Sequence, residues 1–86
     1  MKVIIPSPLY AYTGGAREVA AEGATLDELV YHLEARYTGL RFRIVDEQGA
    51  IRPHIRFFVN GESASSLARP LAPHDDVLIV AALSGG

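Results

Sequence analysis

One stretch limits the possible folds of this chain more than any other. Between Thr25 and Gly39 the sequence carries its one well-marked helical period, and the segments on either side of it read as strands. Thr25 stands three residues before Glu28, the spacing of a capping box, in which hydroxyl and carboxylate satisfy orphan amides of the first turn. Leu26, Leu29, Val30, Leu33 and Tyr37 fall on one face. Asp27, Glu28, Glu34 and Arg36 fall on the other, toward solvent. Gly39 ends the helix in the C′ region. A helix with a single apolar stripe, set among strands, is expected to lie across one face of a sheet.

The strands are read from composition and turns. Lys2 to Ile5 is rich in β-branched residues, and Pro6 and Pro8 bound it. Arg17 to Ala21 alternates polar and apolar, as a half-buried strand does. Thr13-Gly14-Gly15 is a turn signal, so these two segments form a hairpin with a long loop through Tyr10 and Tyr12. Leu40 to Gly49 is less regular. Phe42, Ile44 and Val45 are expected to pack beneath a loop or short helical turn, and Asp46-Glu47-Gln48-Gly49 to turn. Ile55 to Val59 is a strand. Asn60-Gly61, where both positions tolerate φ > 0, predicts a tight hairpin into a short strand with Glu62 and Ser63. Ala64 to Leu71 is a connection and Pro73-His74-Asp75-Asp76 a turn. Val77 to Ala81 is the last strand, and its near-continuous apolar character predicts burial on both faces in the sheet interior.

The order β-β-α-β-β-β is that of the β-grasp fold. The expectation is an α+β domain: a mixed sheet of four to five strands with one main helix packed on one face. The first and last strands are parallel neighbours at its centre. Residues 1–82 form this domain and 83–86 a flexible diglycine tail.

The tail, Leu83-Ser84-Gly85-Gly86, is the functional candidate. Gly-Gly is thin and conformationally free, so it can thread a narrow channel behind a stiff strand. The four residues after Ala82 reach about 13 Å when extended. A free carboxylate is a poor electrophile. Adenylation by ATP would give it a leaving group, and a thiol or persulfide could then leave a thiocarboxylate or thioester. No phosphate-cradling glycine loop or Walker lysine is present, so the chain is read as substrate and carrier, with the enzyme elsewhere.

Other chemistry finds little support. Eighty-six residues make one domain, and 49% apolar residues suffice for a small core. A formal net charge of −2 gives no electrostatic footing for nucleic acid. The absence of cysteine removes disulfides, iron–sulfur clusters, thiolate zinc sites and a thiol nucleophile. No signal peptide and no membrane-length apolar run is visible. A cytoplasmic location is expected. His32, four residues after Glu28, lacks a third metal ligand. His54 and His74 flank strands in polar loops, and Asp75-Asp76 reads as a turn. Thr13-Gly14-Gly15 precedes a strand rather than a helix, so it is not read as a phosphate loop. Serines 63, 65, 66 and 84 lack a nucleophile-elbow context. No catalytic residue, metal site or bound cofactor is expected.

Two features suggest protein contact. Arg36, Arg41, Arg43, Arg52 and Arg56 cluster in the middle of the sequence and could meet an acidic partner. Either Phe57 or Phe58 must point away from the helix-covered face, because neighbours on a strand alternate. The outward one, with Leu83, is a candidate contact, and Arg56 and Arg43 are its candidate companions.

Taken end to end, the chain resembles the ubiquitin-like sulfur carriers. These include the small subunit of molybdopterin synthase, the thiamine-pathway carrier and the cysteine-biosynthesis carrier. It is most similar to the cysteine-carrier branch in Ile5-Pro6-Ser7-Pro8-Leu9, Thr13-Gly14-Gly15, Leu33-Glu34-Ala35-Arg36-Tyr37 and Phe58-Val59-Asn60-Gly61-Glu62. The aspartate-rich turn, the apolar strand and Gly85-Gly86 complete the likeness. The resemblance implies that a ubiquitin-activator-like adenylyltransferase adenylates Gly86 and that Gly85 serves as its slim neighbour. A sulfur donor then makes the thiocarboxylate, and an acceptor enzyme receives sulfide. ATP is consumed by the activating partner and is not bound here. Alanine, leucine and serine at 81–84 depart from the proline or valine found in relatives, which leaves the partner open. Three alternatives stand: a molybdopterin synthase small subunit, a protein modifier that forms isopeptides through Gly86, and an interaction module with an inert tail.

Overall fold

Alternating side chains along five short strands divide the molecule into a covered and an uncovered side. The computed structural model describes residues 1–82. Its strands are β1 (Lys2–Ile4), β2 (Glu18–Ala20), β3 (Ile55–Val59), β4 (Glu62–Ala64) and β5 (Asp76–Ala81). They form one mixed sheet in the order β2-β1-β5-β3-β4. β1 and β5 run parallel, with Val3 opposite Val77, and the other pairs are antiparallel. The β-grasp expectation holds, including the central place of β5.

Val3, Val19, Phe57, Val59, Val77 and Ile79 turn to the covered side and are buried there. They meet Leu26, Leu29, Val30 and Leu33 of α1 (Leu26–Arg36), and Leu40 and Ile44 of α2 (Leu40–Ile44). These side chains are at most 7% exposed and form one continuous core.

Local chemistry explains the helix ends. Thr25 is the N-cap of α1, and its Oγ1 accepts from the Glu28 amide at 3.3 Å. Glu28 reaches back to the Ala24 amide at 3.3 Å, one residue ahead of the cap. Gly39 (φ 94°) turns the chain from α1 into α2. The Glu34 carboxylate holds that turn by accepting from the Gly39 and Arg41 amides, the latter at 2.9 Å.

Three expectations are corrected. The loop through Tyr10 and Tyr12 is a 3₁₀ helix, Ser7–Tyr12, whose Leu9 is buried in the core. It is followed by Thr13, whose buried hydroxyl faces the carbonyls of Tyr10 and Ala16. Phe42 is 55% exposed on α2 rather than packed beneath it, while Ile44 and Val45 are buried. β5 is central but open on one face: Leu78 is 39% exposed, because both helices lie on the other side of the sheet.

Candidate functional site

The path to the tail is built from β5. β5 has partners on both sides, and its pairing with β3 places Ile55 opposite Ala81 and Arg56 opposite Val80. The Ala82 amide donates to the His54 carbonyl at 2.8 Å, which carries the ladder one residue past the strand. β1 flanks β5 only from Asp76 to Leu78, so the backbone from Ile79 to the root of the tail is anchored on the β3 side. Leu83, Ser84, Gly85 and Gly86, the residues expected to carry the chemistry, lie outside the described residues.

The uncovered face supplies a surface beside that path. Register sets Ile4 next to Leu78, and Leu78 next to Phe58, across three adjacent strands. These residues, with Gly61, Asp76 and Val77, line a depression of about 280 Å³. Of the two adjacent phenylalanines, Phe57 is 1% exposed and belongs to the core. It is therefore removed from the candidate contacts, and Phe58 is the half-buried one on the open face. Arg56 is exposed on that same face opposite Val80, and its Nη1 donates to the Pro53 carbonyl at 3.0 Å. Ile4 and Leu78 were missed from the sequence. Their signal was the same alternation that separated the phenylalanines, hidden by the unbroken apolar run of β5.

The arginines are divided between the two sides of the sheet. Arg43 lies on α2, in the helical layer, with its guanidinium 5.6 Å from the Tyr12 ring centroid and Nε hydrogen-bonded to the Tyr12 hydroxyl. Arg41 stacks on Tyr31 at 4.3 Å and approaches Asp27 at 4.0 Å. Arg52 covers Phe42 at 4.6 Å, and Arg36 lies beside Tyr37 while donating to the Ala20 carbonyl. Each of these four guanidiniums is engaged by a different aromatic ring, and Arg56 stands apart on the other side of the sheet.

The titratable groups serve the backbone. Backbone amides of Gly39 and Arg41 hold the Glu34 carboxyl below the usual range. The amides of Ala50 and Gln48 do the same for Asp46. The Ala72 amide and the Asn60 side chain do so for Asp75. The Nδ1 of His32 accepts from the Glu22 amide at 2.8 Å. Thr13-Gly14-Gly15 is a turn leading into β2. Among the described residues no three His, Cys, Asp or Glu side chains group as metal ligands, and no helix is long and apolar enough to cross a membrane.

With this geometry in place, the comparisons with known proteins agree with one another. A model of the ThiS family matches residues 3–86. The sulfur carrier protein CysO of Mycobacterium tuberculosis is 36% identical, over 98% of this chain and 96% of that protein. Its crystal structure superposes with a TM-score of 0.89 at 34% identity, covering 95% of this chain and 98% of that one. A crystal structure of the Amycolatopsis orientalis BexX/CysO complex matches with a TM-score of 0.90 at 33% identity, over 99% of this chain and 98% of that chain. SAMP1 from Haloferax volcanii matches with a TM-score of 0.81 at 27% identity, over 100% of this chain and 98% of that one. The chain belongs to the ThiS family.

Proposed function

We propose that this chain is a sulfur carrier whose Gly86 carboxylate is adenylated by a ubiquitin-activator-like enzyme and converted to a thiocarboxylate. The thiocarboxylate then gives sulfide to an acceptor enzyme in cofactor or cysteine biosynthesis. The observation that carries this reading is likeness along the whole length, since the family match runs through Gly86 itself. In the first step a carboxylate oxygen of Gly86 attacks the α-phosphorus of ATP and pyrophosphate leaves. In the second a hydrosulfide released by the sulfur donor attacks the carbonyl carbon, a C–S bond forms, and AMP leaves with the C–O electron pair, giving the thiocarboxylate. Both steps belong to the partner's active site, and ATP is consumed there. The chain's part is to present the acyl group.

The fold gives that role a physical basis. β5 is held by β1 over its first half and by β3 along its length to Ala81, so a partner gripping residues 83–86 works against an anchored strand. Gly85 has no side chain to obstruct a narrow channel. Phe58, Leu78 and Ile4 form the surface on which a partner enzyme docks, with Arg56 at its rim. Apolar side chains gathered on a small domain mark protein contacts. The Amycolatopsis relative occurs in a complex with BexX, which supports a protein partner for this chain. The working compartment proposed for it is the cytoplasm, where ATP is available.

A second reading, a protein modifier, is favoured by the likeness to a small archaeal modifier protein. One experiment addresses both readings. In an extract of the source organism supplied with ATP, hydroxylamine should trap the adenylate as a hydroxamate on Gly86. No ATP-dependent hydroxamate contradicts the activation step. A ladder of protein conjugates on a denaturing gel, without any thiocarboxylate, would favour the modifier.

A further inference from the structure

We propose that Lys2 is the one side chain of this protein acylated by the activated end of a second copy, so that copies join only as linear Gly86–Lys2 chains. The proposal rests on the reading of Gly86 as an activated carboxyl. The sequence has seven arginines and a single lysine. A guanidinium does not deprotonate in proteins and offers no lone pair to a carbonyl carbon. The surface therefore has positive charges throughout and only one side-chain amine.

That amine is accessible. Lys2 is exposed on β1 and alternates with the fully buried Val3, which directs it to the uncovered side of the sheet. Its register partners there are Ala20 of β2 and Asp76 of β5, the latter lining the apolar depression. The small Ala20 leaves the approach open on one flank. The other amine, the α-amino group of Met1, donates to the Ala21 carbonyl at 3.0 Å and is partly buried.

The bond changes are simple. The unprotonated Nζ of Lys2 attacks the Gly86 carbonyl carbon of a second copy, and a C–N bond forms. The C–O bond to the adenylate phosphate breaks, AMP leaves with the electron pair, and the nitrogen gives its extra proton to solvent. Nothing is oxidised or reduced. Each copy has one acyl donor and one acceptor, so growth is unbranched.

The test uses the full chain carrying a C-terminal thioester to a small thiol, made by intein cleavage and concentrated at mildly alkaline pH. Here the C–S bond breaks and the thiolate leaves. The expected result is a ladder of adducts, each joined with loss of one thiol, whose proteolytic peptides link Gly86 to Lys2. Lys2→Arg should lose the ladder entirely while remaining folded and still reacting with added N-acetyllysine. The assignment is overturned by any of three outcomes: a ladder persisting in Lys2→Arg through Met1, a cyclised monomer, or a wild-type thioester captured by N-acetyllysine without forming adducts. Because the thioester needs no activating enzyme, failure of the sulfur-carrier reading leaves this result interpretable.

Discussion

Asn60 and Asp76 are tied by a reciprocal pair of hydrogen bonds. The Asn60 amide donates to the Asp76 carbonyl at 2.8 Å, and the Asn60 side-chain oxygen accepts from the Asp76 amide at 2.9 Å. Its side-chain nitrogen adds a bond to Asp75 Oδ1 at 2.8 Å. Asn60 also sits at φ 52°, followed by Gly61 at 82°. One residue therefore makes the β3–β4 turn and fastens it to the start of the strand that leads to the tail.

Two substitutions separate these roles. Asn60→Gly keeps the left-handed backbone and loses the side-chain bonds, each worth about 0.5–1.5 kcal/mol. Asn60→Ala loses the bonds and adds left-handed strain of about 1–2 kcal/mol. Urea unfolding should rank wild type above Gly and Gly above Ala. Equal stability of the two variants would mean that backbone strain is not what the asparagine relieves.

Glu34 makes stability depend on acid. Its carboxyl is held below its ordinary value by the Gly39 and Arg41 amides, so the folded state binds its proton less readily than the unfolded state. The stabilisation is complete above the ordinary glutamate range and is lost as pH falls through the lowered folded value. Asp46 and Asp75 are lowered too and act in the same direction. Thermal melts should show Tm dropping on the acid side of that range, and Glu34→Gln should make the drop shallower. Superimposable acid limbs would contradict this.

Gly23 and Leu29 predict opposite packing errors. A Cβ on Gly23 would stand 2.5 Å from the Leu29 amide nitrogen, against backbone that cannot move aside. Gly23→Ala should cost about 1–3 kcal/mol. Leu29 is fully buried, so Leu29→Ala should cost about 2–5 kcal/mol through lost burial and a cavity. Chemical denaturation measures both, and a wild-type midpoint for either would place that residue wrongly.

Much of this was legible because local signals and packing agree. Thr25 and Glu28 mark the start of α1, Asn60-Gly61 sets a tight turn, and strand alternation requires one of Phe57 and Phe58 to face outward, which the structure shows to be Phe58. Where one residue type fits two environments, the sequence is silent. The apolar run of β5 reads as doubly buried, yet Leu78 is apolar on an open face. The arginines of the middle segment do not share one surface, because Arg56 alternates with the buried Phe57 onto the open face while Arg41 and Arg43 lie on α2. Glu34 reads as a solvated helix residue, because its partners are backbone amides five and seven positions on, brought back by the turn at Gly39.

The open face should be separable from the fold. Phe58→Asp removes an apolar contact from a half-buried position, so the domain should still fold. Affinity for the activating enzyme should fall by about thirtyfold, as for a contact worth about 2 kcal/mol. Calorimetric titration reads this directly, and unchanged affinity would place docking elsewhere on the molecule.

The central claim concerns the last carbonyl carbon. Intact-mass measurement of the chain isolated from its own host, beside a variant lacking Gly86, tests it most directly. The account predicts a wild-type population in which one oxygen is replaced by sulfur, mapping to Gly86, and none in the folded truncated variant. Equal sulfur loading of the two proteins would contradict it, as would a wild-type chain that never carries sulfur while its activating and sulfur-donating partners are present.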